Sequence, residues 1–175
     1  ERDVAVKIMR PGVERRFRRD LGDMFFAARL AERNSSEAKR LRLVSVVETL
    51  ARSVKMEMDF RLEAAAASEF AEKIAVDPDF LIPSVDWDRT SKDVLTTQWI
   101  DGTPLSNIEA LQKQGFDLPR LGRIVIQAFL RHAVRDGFFH ADMHQGNLFV
   151  DAQGRIVAVD FGIMGRLDPR ERRFL

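Results

Sequence analysis

The ten residues FFHADMHQGN, 138–147, carry two histidines, one aspartate and one asparagine in a single short segment. Two chemistries compete for it. Were the segment extended, His140, Asp142 and His144 would share one face and could bind zinc or manganese together. Read as a loop, it follows H-x-D-x-x-x-x-N, in which the aspartate accepts or orients a hydroxyl and the asparagine five residues on holds magnesium. Asp142 and Asn147 have that separation. Further along, DFG at 160–162 adds Asp160, whose carboxylate suits the same hard cation. Lys7, in the β-branched run VAVKIM (4–9), could reach phosphate oxygens from a rigid base. The metal alternative leaves Asn147, Asp160 and Lys7 without roles, so phosphoryl transfer is the better reading.

These residues need particular elements to bring them together. VAVKIM reads as a strand stopped by Pro11-Gly12. Val13, Phe17, Leu21, Met24, Phe25 and Ala28 recur at helical spacing over about 13–33, and Ser36, after the break, is placed as an N-cap. A second helical stretch is expected over about 43–75, including the alanine run EAAAA. DPDFLIPSVDW reads as a loop, and DVLTTQWI (93–100) as a strand ending at Asp101-Gly102. A short helix is predicted near 105–113 and a longer amphipathic one over 118–136, closed by Gly137. His132, on that helix, reads as a core or surface residue rather than a ligand. NLFV and RIVAVD, separated by DAQG, form a hairpin. LDPRERRFL opens a helix with Asp168 as N-cap and Pro169 at its first position.

Composition excludes several classes. With 45% hydrophobic and 31% charged residues, the 175-residue chain is ordinary globular material rather than disordered. No cysteine is present, which removes disulfides and thiolate metal sites. The longest apolar runs, such as IVIQAFL (124–130), fall far short of the ~20 residues that span a bilayer. Residues 1–42 hold 12 Lys/Arg against 7 Asp/Glu, while the remainder holds 16 against 20. This mild basic bias fits a solvated, salt-bridged helix face, and nucleic-acid binding is not expected without interleaved aromatics. The sequence opens at Glu1 inside a strand pattern without an initiator Met and closes at Leu175 just past a helix start, and so reads as an excised piece.

The order strand with Lys, helical segment, strand, helices, polar loop, hairpin and DFG is that of a protein-kinase-like fold. The expected class is α+β and two-lobed, with a partial N-lobe over 1–100 and a partial C-lobe over 101–175. An added helical insertion occupies about 12–75 of the N-lobe. Lys7 needs a carboxylate to hold it, and the stretch 43–75 supplies Glu57, Asp59 and Glu63. Six residues apart on one helix, Glu57 and Glu63 would lie on different faces, so only one could pair with Lys7. His140 packs beneath the loop.

With these residues assembled, the chain resembles the UbiB family of atypical protein-kinase-like proteins, linked to ubiquinone biosynthesis. The resemblance rests on VAVKIMRPG, on EMDFRLEA against the signature E-x-D-[FY]-x-x-E-A, on VLTTQWIDG, on HADMHQGN and on DFGIMGRL. EMDFRLEA is the discriminating run. The resemblance makes Glu63 the partner of Lys7, Glu57 and Asp59 a family-specific acidic pair, and Asp142 the catalytic aspartate. It makes Asn147 and Asp160 the magnesium ligands, and Gln98, Trp99 and Ile100 the segment that meets adenine through backbone groups.

It further implies ATP and Mg²⁺ as cofactors, ATP hydrolysis or phosphorylation of a small or lipid-like substrate such as a quinone precursor, and peripheral membrane contact through flanking regions. Its implied location is the bacterial cytoplasm at the inner membrane, or the mitochondrion. The family's alanine-rich phosphate loop and K-x-G-Q helix would precede Glu1, and the rest of the C-lobe would follow Leu175. Gln145 departs from the usual proline, Met143 occupies a variable or proline position, and Gln98 stands where glutamate is frequent. A nucleotide-gated accessory protein and a small-molecule phosphotransferase of the aminoglycoside or choline type are the alternatives, the latter opposed by EMDFRLEA.

Overall fold

The computed structural model describes residues 2–174, so the strand pattern at Glu1 and the end of the last segment at Leu175 lie outside the described residues. VAVKI forms strand β1 (Val4–Ile8), its β-branched side chains favouring the pleat. It pairs antiparallel with β3 (Val94–Gln98) in a register that sets Lys7 opposite Leu95. On the other side of β3, Asp86 N–H donates to the Thr96 carbonyl and Gln98 N–H to that of Ser84, which widens the small sheet.

After Gly12, helix α1 (Val13–Asn34) runs out and returns through α2 (Ser36–Leu41) and α3 (Leu43–Glu57). The cap of α2 is Ser35 rather than the expected Ser36: Ser35 is extended at φ −139°, and its hydroxyl accepts from Ala38 N–H. The stretch expected as one helix over 43–75 is two, broken at Met58-Asp59. Asp59 sits at φ −134°, accepts the Arg61 N–H and grips the Arg61 guanidinium, so its short side chain competes successfully with helix continuation.

Helix α4 (Phe60–Ile74) then buries Phe60, Glu63, Ala64, Ala67, Phe70 and Ile74, a spacing of three and four that makes one continuous face. Its alanines carry no side chain beyond Cβ, which lets the helix lie close to what it covers. Phe60 and Ala64 pack with Leu95 under the small sheet, while Ala67, Phe70 and Ile74 join the main core.

That core lies on a four-stranded sheet in the order β2 (Phe80–Leu81), β7 (Ile156–Ala158), β6 (Leu148–Asp151) and β4 (Gly102–Pro104). Strands β6 and β7 form the expected hairpin, with Leu148 opposite Ala158. Two short strands of this sheet were not legible. β2, inside the expected loop, pairs parallel with β7, and β4, at the expected turn, pairs antiparallel with β6.

Helices α5 (Ile108–Lys113) and α6 (Leu118–Arg131) cover the sheet, capped by Asn107 and Asp117. The last turn, His132–Asp136, widens to a π turn before Gly137. Phe70 sits at the centre of the aromatic packing, edge-on to Phe80, Phe138 and His132.

Strand β5 (Phe138–His140) pairs with β8 (Met164–Arg166). Gly165 is needed there, because a Cβ would fall 2.3 Å from the Phe139 ring. LDPRERRFL does not continue as a helix through the described residues. Asp168 Oδ1 accepts from the N–H groups of Arg170 and Glu171, and Glu171 returns a carboxylate oxygen to Asp168 N–H, closing a capping box around one 3₁₀ turn, Glu171–Arg173.

Candidate functional site

The strand base of Lys7 aims its side chain at α4. Its Nζ lies 2.9 and 3.0 Å from the two carboxylate oxygens of Glu63 and 3.4 Å from Asp160 Oδ1. Glu63 is buried, and burial raises its pKa above the ordinary glutamate range, a push opposed by the hydrogen bonds and charge of Lys7. The exposed Asp160 carries a positive φ of 65°, a left-handed conformation uncommon outside glycine, which its Oδ1 supports by accepting from Gly162 N–H.

The polar loop hangs between two paired segments. β5 delivers the chain to it, and beyond it Val159 N–H donates to the Asn147 carbonyl at 2.9 Å. That bond places Asn147 directly across from the residue before Asp160. His140 is fully buried beneath the loop. Its Nδ1 accepts from Asp142 N–H at 3.1 Å, so the ring proton is on Nε2, which donates to the Val159 carbonyl at 3.4 Å. Burial lowers its pKa and keeps it neutral, against the pull of that carbonyl.

The metal alternative fails on this geometry. His140 points inward with both nitrogens engaged, and among the described residues no cluster of three or more His, Asp or Glu is placed to hold a metal by itself. Asn147 and Asp160 are a donor set of a different kind. The Asn147 amide nitrogen donates to the Asp142 carbonyl at 3.2 Å, which leaves its oxygen as the free end. One amide and one carboxylate oxygen fit Mg²⁺, which takes few protein ligands and fills its octahedron with phosphate and water oxygens.

Two hollows meet at the Lys7–Glu63–Asp160 cluster. One, about 490 Å³, is walled by apolar side chains including Leu95, Ile100, Pro104, Phe149 and Phe161, and reaches Gln98 and Trp99. Gln98 turns its side chain outward, where Oε1 accepts from the Ser84 hydroxyl, and the exposed Trp99 donates its ring N–H to Asp101. The other hollow, about 650 Å³, holds Asp142 together with Met56, Leu62, Ile163 and Met164.

Glu57 and Asp59 line this second hollow but not on Glu63's helix: Glu57 ends α3, and Asp59 caps α4. Only Glu63 of the three reaches Lys7. The apolar lining of the second hollow had no distinct sequence signal, since Met56 and Leu62 continue ordinary helical patterns.

Sequence reasoning also missed a buried node below the site. Asp77 accepts from Arg131, from both terminal nitrogens of Arg135 and from His132 Nε2. His132 is therefore core, packed edge-on against Phe70 and Phe80. Burial alone would raise the Asp77 pKa, but the Arg135 and Arg131 guanidiniums hold it at about 2.

A lysine on a strand held by a helix glutamate, an aspartate-bearing loop and a DFG aspartate facing both define a kinase-like protein. The ABC1 atypical kinase-like domain matches residues 1–175, and the chain belongs to that family. It is 42% identical to a probable protein kinase UbiB of Marinobacter nauticus over 98% of its length, and 39% identical to one of Azotobacter vinelandii over 99%. It spans about a third of the length of these relatives, 32% and 33%. Among solved structures, the complex of Rv3197 with erythromycin from Mycobacterium tuberculosis is similar over 94% of this chain and 41% of that one, at 30% identity and a TM-score of 0.68. No helix among the described residues is long and apolar enough to cross a membrane.

Proposed function

We propose that this chain is the nucleotide-handling part of a UbiB-like atypical kinase or ATPase, with residues 1–100 and 101–175 contributing the two walls of the cleft. The carrying observation is that Lys7 Nζ stands between Glu63 and Asp160 where the two hollows join. In this reading the adenine of ATP occupies the apolar hollow against the backbone of Gln98, Trp99 and Ile100, and its phosphates cross the junction. Glu63 holds Lys7 extended toward the α- and β-phosphates. Asn147 and Asp160 would hold Mg²⁺, which supplies charge neutralisation for the phosphate oxygens.

The second hollow is where the acceptor enters. A hydroxyl of a small or lipid-like molecule, or water, forms a bond to the terminal phosphorus as the bond to the bridging oxygen breaks. ADP leaves, and the hydroxyl proton passes to Asp142. The apolar walls given by Met56, Leu62, Ile163 and Met164 support an amphiphilic acceptor over a polar peptide. Family resemblance adds the expectation that the activity serves ubiquinone biosynthesis, with flanking parts touching the membrane.

The test is the thermal midpoint of the full-length protein with and without Mg-ATP, beside Asp160→Asn and a Zn²⁺ control. A ligand bound only by the folded state raises the midpoint. The expected result is a Mg-ATP shift that the variant loses, with ATP turnover that Asp142→Asn loses. No Mg-ATP shift in the wild-type protein would overturn the reading. Binding without turnover would leave a nucleotide-gated accessory role.

A further inference from the structure

His144, two residues beyond Asp142, is not used by magnesium binding or by proton transfer. Its side chain is 56% exposed, yet the ring is held by the backbone. Gly146 N–H donates to Nδ1 at 3.0 Å. Gly146 also makes the room for the ring: a Cβ there would meet its Cε1 at 2.9 Å and Nδ1 at 3.0 Å. The backbone winds tightly around the same residue, His144 N–H donating to the Asp142 carbonyl and the His144 carbonyl accepting from Asn147 N–H.

Since Nδ1 accepts, the ring proton of the neutral imidazole is on Nε2. That nitrogen faces the Asp142 carboxylate, 3.7 Å from Oδ2. Among the described residues no other side chain hydrogen-bonds or ion-pairs with this carboxylate. Asp142 is held by its backbone, through His140 and Asn147, but among the described residues its carboxylate has only His144 to aim it. A distance of 3.7 Å is beyond a hydrogen bond. It is a small side-chain rotation from one, and catalytic hydrogen bonds commonly tighten only when substrate arrives.

We infer that His144 is a positioning residue: its Nε2–H orients the Asp142 carboxylate toward the incoming hydroxyl, with the ring set by Gly146. This rests on the proposed role of Asp142 as proton acceptor. It accounts for a histidine and a glycine in HADMHQGN that the phosphoryl-transfer chemistry otherwise leaves idle. His144 exchanges no proton in this scheme, so the group-transfer step is unchanged.

Two near-isosteres separate its two contacts. Asparagine reproduces the acceptor that receives Gly146 N–H but cannot extend to Asp142, whereas glutamine places an N–H donor at the position of Nε2. In full-length protein, His144→Asn is expected to lower kcat for ATP turnover by about 10- to 100-fold, the scale of a misaimed catalytic group. KM for ATP should stay within about twofold, and the thermal midpoint and its Mg-ATP shift should be unchanged. His144→Gln is expected to recover most of kcat.

Nitrogen-15 NMR of the wild-type ring should report the Nε2–H tautomer. An Asn variant as fast as wild type, a Gln variant no better than Asn, or a proton on Nδ1 would each overturn the inference while leaving the nucleotide site standing. Wild-type protein without any turnover would overturn it together with the proposed function.

Discussion

Lys7 Nζ is shared by both carboxylate oxygens of Glu63, at 2.9 and 3.0 Å, although Glu63 is buried and Lys7 is 44% exposed on its side chain. The pair is thus asymmetric. The ionised Glu63 bears the desolvation cost while Lys7 keeps part of its hydration. With its folded-state pKa raised by burial, the contribution of Glu63 to stability is complete below the unfolded pKa and is lost as pH rises through the folded one. At neutral pH its charge therefore costs stability. Glu63→Gln should unfold at the same or a higher temperature than wild type by calorimetry, while its Mg-ATP-induced shift falls, because Lys7 loses the group that aims it.

Asp160 holds its place at φ 65°. Relieving that conformation should stabilise the fold by roughly 0.5–1 kcal/mol, so Asp160→Gly is expected to resist urea slightly better than wild type. It should nevertheless lose magnesium-dependent nucleotide binding, measured by titration calorimetry. A gain in stability with a loss of binding would separate the strain at this position from its proposed ligand role.

The Asp77 node sets the response to acid. Its folded pKa of about 2 lies below the unfolded value, so its contribution is present above the ordinary aspartate range and is lost as pH falls from there toward about 2. His132, whose pKa burial lowers against the attraction of Asp77, acts in the same direction from a higher pH: its contribution is lost as pH falls below the ordinary histidine range, because the buried ring takes up charge less readily than the unfolded one. Urea midpoints should start to decline as pH falls below about 6.5 and fall steeply below about pH 4. Asp77→Asn should cost roughly 3 kcal/mol at neutral pH and flatten that acid dependence.

Phe70 is fully buried and touches the rings of Phe80, Phe138, Phe161 and His132. Phe70→Ala should cost roughly 3–5 kcal/mol in chemical denaturation. Because Phe161 belongs to the DFG run and Phe138 to the strand entering the polar loop, nucleotide affinity should weaken even where the variant remains folded. Phe70→Leu should recover most of both.

The separation of Asp142 from Asn147, the DFG run and a lysine among β-branched residues were readable in the chain, because these depend on spacing along it and on local backbone preference. The helices with strong apolar periodicity and the β6–β7 hairpin were readable for the same reason. The break at Asp59 was not, because a long alanine-rich helical pattern outweighs one capping aspartate until the chain has to turn. Strands β2 and β4, of two and three residues, exist only because β7 and β6 are there to pair with them. Which of Glu57, Asp59 and Glu63 meets Lys7 required the same step: 56 residues separate Lys7 from Glu63, and only the packing of α4 under the β1–β3 pair brings their charges within hydrogen-bond reach. What the sequence determined alone was the set of candidate groups for the proposed chemistry, since residue type and local spacing carry that information. What tertiary structure decided was which of them are buried, paired or left free to meet a ligand, since desolvation and contact between distant segments are properties of the folded chain.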